Sequence, residues 1–388
     1  MPFDVKENER NDDMEQAKVY FSDLRAPIGT NLLKKLEKLI RTAGMSNIDM
    51  EKKLVAIKIH FGEPGNLSFL RPNYAKVVAD VVKSMGGVPF LTDCNTLYVG
   101  RRKNALEHMD AAYENGFSPF STGCQIIIGD GLKGTDDVEV PVEGAEYIQT
   151  AKIGRAVMDA DVFISLTHFK GHEATGFGGA IKNIGMGCGS RRGKMEQHNS
   201  GKPEVRQKKC VGCRQCAKQC GQDAISYGED RKAFIDQNKC VGCGRCLGAC
   251  NFDAIVNRNS SANDDLNRKM AEYAKGVVDG RPQFHISLVM DVSPFCDCHA
   301  ENDVPIIPDV GMFASFDAVA LDQACADACL RQPVMPGSRL DQYLHTEGCE
   351  DHHDHFCNNF PETNWRSCLE HAEKIGLGTR SYELIEVK

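Results

Sequence analysis

The residues with the most chemistry in this 388-residue chain are eight cysteines in two runs, KCVGCRQCAKQCGQDAI and KCVGCGRCLGACNFDAI. Cys210, Cys213, Cys216 and Cys220 follow a C-x2-C-x2-C-x3-C spacing. Thirty residues on, the spacing returns at Cys240, Cys243, Cys246 and Cys250. Thiolates are soft ligands suited to iron–sulfur clusters, and spacing this short lets one loop wrap three corners of a cubane while a distant cysteine supplies the fourth. Zinc also takes four thiolates, but zinc pairs usually lie as C-x2-C units separated by a longer gap. The spacing therefore predicts two 4Fe-4S clusters.

In bacterial two-cluster ferredoxins the fourth cysteine of each run ligates the other run's cluster. That rule assigns Cys210, Cys213, Cys216 and Cys250 to one cluster and Cys240, Cys243, Cys246 and Cys220 to the other. Proline normally follows the fourth cysteine, whereas Gly221 and Asn251 stand there, which changes the local backbone and leaves ligation intact. Between the runs, ISYGEDRKAFI reads as a hairpin. Arg214 and Lys218 in the first loop predict a higher potential for the cluster with three ligands from that loop, because positive charge favours the reduced state.

A second group of polar residues precedes the repeat. The segment Thr167–Lys194, THFKGHEATGFGGAIKNIGMGCGSRRGK, is dense in glycine, which lets backbone approach a ligand and leaves N–H groups free. His172 and Lys182 are the candidate catalytic, proton-transferring residues. Gly176, Gly178, Gly179, Asn183, Arg191 and Arg192 are the candidate cofactor- or anion-binding residues. The alternatives are a solvated basic loop and a satisfied structural histidine. No Walker A motif fits, because Cys188 falls where its first glycine belongs and Met195 where it needs Ser or Thr. Further on, SPFCDCHAEND places Cys296 and Cys298 on one side of an extended segment. With His299 they could form a third metal centre; a reversible disulfide, a neighbouring cofactor and two buried thiols are the alternatives. Cys325 and Cys329 share a helix face among alanines and predict core packing. EGCEDHHDHFCNNF reads either as a metal group or as a solvated loop.

These residues need a frame. Ile28–Gly44 and Asn73–Met85 read as helices, with Leu54–Phe61 and Val88–Thr92 as strands, the order of a βαβ unit. Strand Gln125–Gly129, a helix near Ala151–Asp159 and strand Asp161–Leu166 extend it. Thr167–Lys194 is expected as a long loop with a short helix over the carboxyl ends of the strands. Helix Asp264–Val278, strand His285–Val292 and a helix capped by Ser315 and running to about Leu330 resume the pattern. The predicted class is α/β: a mainly parallel sheet with covering helices, interrupted by a small bacterial-type ferredoxin insert of α+β type. The expected boundaries are a disordered tail over 1–15, a first half over 16–202, the insert over 203–258 and a second half over 259–388.

Composition narrows the function. A formal net charge of −8 argues against a nucleic-acid binder, and no apolar run is long enough to span a bilayer. The charged N-terminus lacks the features of a secretory signal, and 18 cysteines need a reducing compartment. A cytoplasmic protein of an anaerobic host is the expectation.

Three stretches, KGHEATGFGGAIKNIGMGC, FCDCHAENDVPIIPDVGMFASFDAVALDQ and GLGTRSYELI, resemble the iron–sulfur-centre proteins of the domain of unknown function 362 family, in the form with an internal two-cluster ferredoxin module. The resemblance implies a redox or metal-related role. More loosely, Lys170, His172, Gly176, Phe177, Gly179 and Lys182 fall in an order similar to a loop of nickel-pincer lactate racemases. There the family's histidine and lysine serve a pincer cofactor. The expected function is an iron–sulfur oxidoreductase that takes single electrons from a ferredoxin-type or flavodoxin-type partner through two clusters to a small anionic substrate, with a flavin or an additional metal ion as a further cofactor. The alternatives are a non-catalytic electron carrier or metal-delivery scaffold and, further off, a racemase-like enzyme.

Overall fold

Alternating apolar strands and amphipathic helices assemble into one large sheet covered on both faces. The computed structural model describes residues 16–388 except 99, 243, 244, 251, 253, 259 and 260. The expected disordered tail, Cys243 and Asn251 therefore lie outside the described residues.

The main sheet has eight strands: β1 (Ala17–Ser22), β2 (Leu54–Lys58), β3 (Val88–Asp93), β4 (Gln125–Ile128), β5 (Val162–His168), β6 (Gln283–Val289), β7 (Gly311–Ser315) and β8 (Tyr382–Glu386). Their order is β8-β1-β7-β6-β5-β2-β3-β4. All neighbours pair in parallel except β7, which runs antiparallel to both β1 and β6. Strands from before and after the cysteine repeat share this sheet. The chain runs outward from β2 to β3 and β4, then returns with β5 to the other side of β2. This reversal opens a crevice at the carboxyl ends of β2 and β5.

Alternation along the strands sends Val55, Ile57, Val162 and Ile164 to one face and Ala56 and Phe163 to the other. The first face is covered by helices α1 (Leu32–Thr42) and α2 (Pro72–Ser84), through Leu36, Leu39, Val78 and Val82. Asn31 caps α1 by accepting from Lys34 N–H at 3.0 Å, and Pro72 sits in the first turn of α2, where a missing N–H costs nothing. The second face is covered by α3 (Ala180–Cys188), α5 (Ala262–Val278) and α6 (Ala318–Leu330), with the short α4 (Arg191–His198) beside them. Burying each large aliphatic side chain of these faces contributes about 1.5–3 kcal/mol. Cys325 and Cys329 are fully buried in this second core.

Three expectations are corrected. Thr167–Lys194 is not a long loop: after β5 it forms a short hairpin, Lys170–His172 with Gly176–Gly178, and then α3 and α4. Its glycines fall at a turn and at tight packing positions, and so hide the helical period. The segment from Ala151 begins as a strand, Thr150–Gly154, paired with Asp137–Pro141, and only Arg155–Met158 is helical. Ser315 ends strand β7; Asp317 caps α6, accepting from Val319 and Ala320 N–H at 2.8 and 2.9 Å.

The cysteine repeat stands outside the main sheet. Pro203–Val205 pairs antiparallel with Ile255–Asn257, so the segment leaves and returns at one place. Within it Ile225–Tyr227 and Ala233–Ile235 form the expected hairpin.

Candidate functional site

The carboxyl ends of the strands carry charged side chains where a core would have apolar ones. Lys58 closes β2 and Asp93 closes β3. They form a fully buried ion pair of 3.0 Å, and Lys58 Nζ also donates to Asn183 Oδ1 at 2.8 Å. Burial works against the charge on Asp93, but Lys58, His108 and His60 together outweigh it and hold the carboxyl well below the usual range. Arg102 extends the network, donating to Glu63 at 2.8 Å and to Tyr98 Oη at 2.8 Å.

These groups form one wall of a cavity of about 130 Å³. The hairpin after β5 and helix α3 form the opposite wall with His172, Glu173, Gly178, Gly179, Lys182 and Asn183. Asp322 of α6 accepts from Ala180 and Ile181 N–H at 2.6 and 2.9 Å, tying down the start of α3 so closely that a side chain on Gly179 would overlap it. Burial pushes the Asp322 carboxyl up to about 7.

His172 Nδ1 accepts from Ala174 and Thr175 N–H at 3.1 and 3.2 Å, which places the proton of the neutral ring on Nε2, facing Glu173 Oε2 at 3.8 Å. Burial lowers the His172 pKa to about 4, so the ring is neutral at neutral pH. Lys182 Nζ lies 3.5 Å from Cys296 Sγ. A hydrogen bond from Cys298, with the nearby Lys182, pulls the Cys296 thiol well down; the same hydrogen bond pushes Cys298 up. Asp297, between them, turns the other way into a buried cluster with His168 at 2.9 Å and Lys170 at 3.2 Å.

The cysteine repeat closes the cavity. Gly242 and Arg245 of its second loop line it. Arg245 lies over the Tyr98 ring, 4.5 Å from its centroid, and donates to Cys298 O at 3.2 Å; its Nε and Nη1 are buried without a hydrogen-bond partner. Gly221, after the fourth cysteine of the first run, abuts the main domain: a Cβ there would come within 2.9 Å of Leu97 O and 2.7 Å of Lys103 Nζ. That close approach leaves no room for a side chain at Gly221, a proline ring included. On the far side of the repeat, Cys210, Cys213, Cys216 and Cys250 line a single apolar cavity with Val205, Ile255 and Tyr227. Backbone N–H groups of Ala233, Ala224, Gly242 and Ala254 donate to Cys210, Cys220, Cys240 and Cys250 at 3.3–3.4 Å.

The expected site is thus partly gathered. His172, Lys182, Asn183, Gly178, Gly179 and Cys298 line the cavity, and Cys296 reaches it through Lys182. Arg191 and Arg192 do not line it; Arg192 pairs with Asp137 at 2.7 Å and Glu139 at 2.8 Å on an exposed face. Gly176 packs against Trp365 instead. Of the second ligand set, Cys220, Cys240 and Cys246 are described. Among the described residues, the group of His, Cys, Asp and Glu that closes to single-ion spacing is Glu173, Cys298 and His299, with ligand atoms within 4.8 Å of one another. Among the described residues, neither the repeat nor the C-terminal histidines form such a group. Lys58, Asp93, Arg102, Glu173 and Arg245 escaped the sequence reading as site residues. For the first two, a charged residue ending an apolar strand (LVAIK, VPFLTD) was the available signal.

The family model described as a domain of unknown function, DUF362, matches residues 55–327. No curated protein matches the sequence. Among solved structures, the chain is similar to a lactate racemase apoprotein from Thermoanaerobacterium thermosaccharolyticum, at 13% identity and a TM-score of 0.32, covering 71% of this chain and 51% of that one. It is also similar to a structural-genomics protein from Thermotoga maritima, at 12% identity and a TM-score of 0.40, covering 77% and 57%. The chain spans about half the length of these solved relatives. Among the described residues no helix is long and apolar enough to cross a membrane.

Proposed function

This chain belongs to the DUF362 family, and from that premise we propose that it is an iron–sulfur electron-transfer protein, an oxidoreductase whose residues 203–258 form a two-cluster ferredoxin-like insert serving the cavity. The observation that carries the reading is the grouping of Cys210, Cys213 and Cys216 with the distant Cys250 around one apolar cavity, the crossed set that the two-cluster pattern requires. Backbone N–H groups aimed at sulfur are suited to thiolate ligands. Bound there, 4Fe-4S clusters would supply one-electron transfer.

The two ligand sets have different surroundings. Cys213 is exposed, which suits the first set to a ferredoxin-type or flavodoxin-type donor. Of the second set, the described Cys220, Cys240 and Cys246 belong to the side seated on the cavity through Gly221, Gly242 and Arg245. Inside the cavity, Arg245 keeps two N–H groups unpartnered, and Lys194 donates only to the backbone oxygens of Gly187 and Gly189, so two cations are available to a small anionic substrate. His172 offers its Nε2–H as a hydrogen-bond donor.

The test is an EPR-monitored redox titration of anaerobically purified protein and of Arg245→Leu. Two reducible cluster signals are expected, with one potential lowered by the loss of the buried charge and the other unmoved. Protein without reducible clusters would refute the reading, and equal shifts in both signals would refute the assignment of the cavity-side cluster.

A further inference from the structure

We infer that Glu173, Cys298 and His299 form a mononuclear site for a divalent ion of the zinc class, separate from the cysteine repeat and open to the cavity. Their ligand atoms lie within 4.8 Å of one another, so a small inward adjustment of the side chains brings all three to the roughly 2.0–2.3 Å that a single ion requires. The donor set is one thiolate, one imidazole and one carboxylate. Such a mixture suits Zn²⁺ or Fe²⁺ and disfavours Mg²⁺ and Ca²⁺, which take oxygen alone.

Three further features point to a ligand. Glu173 Oε2 is buried and accepts no hydrogen bond, while Oε1 accepts from His299 Nε2 at 2.8 Å, through a proton that a bound ion would displace. His299 Nδ1 lies 3.6 Å from Glu301, a carboxylate placed to orient the ring from behind, as metal-bound histidines usually require. Cys298 and Glu173 both line the cavity, so an ion held by three protein groups would keep its fourth position toward that space, the arrangement of catalytic rather than structural zinc.

The neighbours are excluded for stated reasons. His172 is set back from the group: its Nδ1 accepts two backbone N–H groups and its Nε2 lies 3.8 Å from Glu173 Oε2. Cys296 is engaged by Lys182. The sequence-based set of Cys296, Cys298 and His299 thus becomes Glu173, Cys298 and His299. The missing ligand came from the hairpin after β5, distant in sequence.

The inference goes beyond the cluster reading and does not depend on it. The experiment adds one equivalent of Zn²⁺ to anaerobically purified full-length protein, removes unbound metal, and records zinc content and the zinc K-edge spectrum, which iron–sulfur absorption does not obscure. About one zinc per chain is expected, with one sulfur neighbour and the rest nitrogen or oxygen. In Cys298→Ser the sulfur neighbour disappears and affinity falls about tenfold or more, while Cys296→Ser keeps both. Failure of the native protein to retain zinc, a shell of several sulfurs, or a sulfur neighbour that survives Cys298→Ser would overturn the inference. The native spectrum decides even if a variant fails to fold. Iron and sulfide measured on the same samples report the clusters separately.

Discussion

Gly242 lies so close to the carbonyl oxygen of His198 that any side chain at that position would overlap it. The second cysteine loop is therefore seated directly on the end of α4, with a backbone angle of φ 76° that L side chains rarely adopt. Gly242→Ala should cost about 1–3 kcal/mol and loosen the repeat from the cavity. Limited proteolysis should then cut within 203–258 several times faster than in the native protein; an unchanged rate would mean the seat tolerates a methyl group.

Lys58 and Asp93 anchor the crevice between β2 and β5. Removing one partner leaves a buried charge, with Arg102 and His108 each 3.6 Å from Asp93 as the remaining compensation. Lys58→Ala should therefore destabilise by about 3 kcal/mol, the low end for breaking a buried pair. Urea denaturation under anaerobic conditions measures it, and a loss under about 1 kcal/mol would place the pair among weakly contributing ones.

His285 is buried in β6, between Ser165 Oγ at 2.9 Å and Gln283 Oε1 at 2.8 Å, and burial lowers its pKa to about 3. The folded protein thus resists a proton that the unfolded chain takes up near pH 6.5. Its stabilising contribution is complete above that pH and declines as pH falls toward 3, by about 1.4 kcal/mol per unit below about 6. Burial likewise lowers His172 to about 4 and His198 to about 3, so the acid slope sums several groups. His285→Gln should reduce that slope by about one proton's worth in urea titrations at pH 7.5, 6.5 and 5.5. An identical slope would show that His285 is not held neutral.

Local pattern and spacing explain what was legible in the sequence. The helices of α1, α2 and α5 and the apolar strands β2, β3, β5 and β6 announced themselves by periodicity, because each buries one stripe or a whole run. β8 is half exposed and carries no such run, and β7 is given no strand because its last residue, Ser315, reads as the cap of the following helix. The glycine-rich segment 167–194 brings His172, Lys182 and Asn183 to one cavity, yet its helices were hidden by glycines that serve close packing. Arg192 looked like an anion ligand because sequence records charge and not the carboxylates of Asp137 and Glu139 opposite it. Lys58 and Asp93 left only the signal of a charge ending an apolar strand, and Glu173 left none, because each acquires its role from a partner far away in the chain. Arg245 adds buried charge beside the cavity-side ligands, which counting Arg214 and Lys218 within the first loop could not anticipate.

The proposed function depends on the repeat holding two clusters with crossed ligands. Iron, sulfide and reduced-state EPR on anaerobic native protein and on Cys250→Ser test it together. The account expects about eight irons and eight sulfides per native chain and about four of each in the variant, with one cluster signal lost and the cavity-side signal retained. Zinc in place of iron in the native protein, or loss of the cavity-side signal in Cys250→Ser, would contradict it.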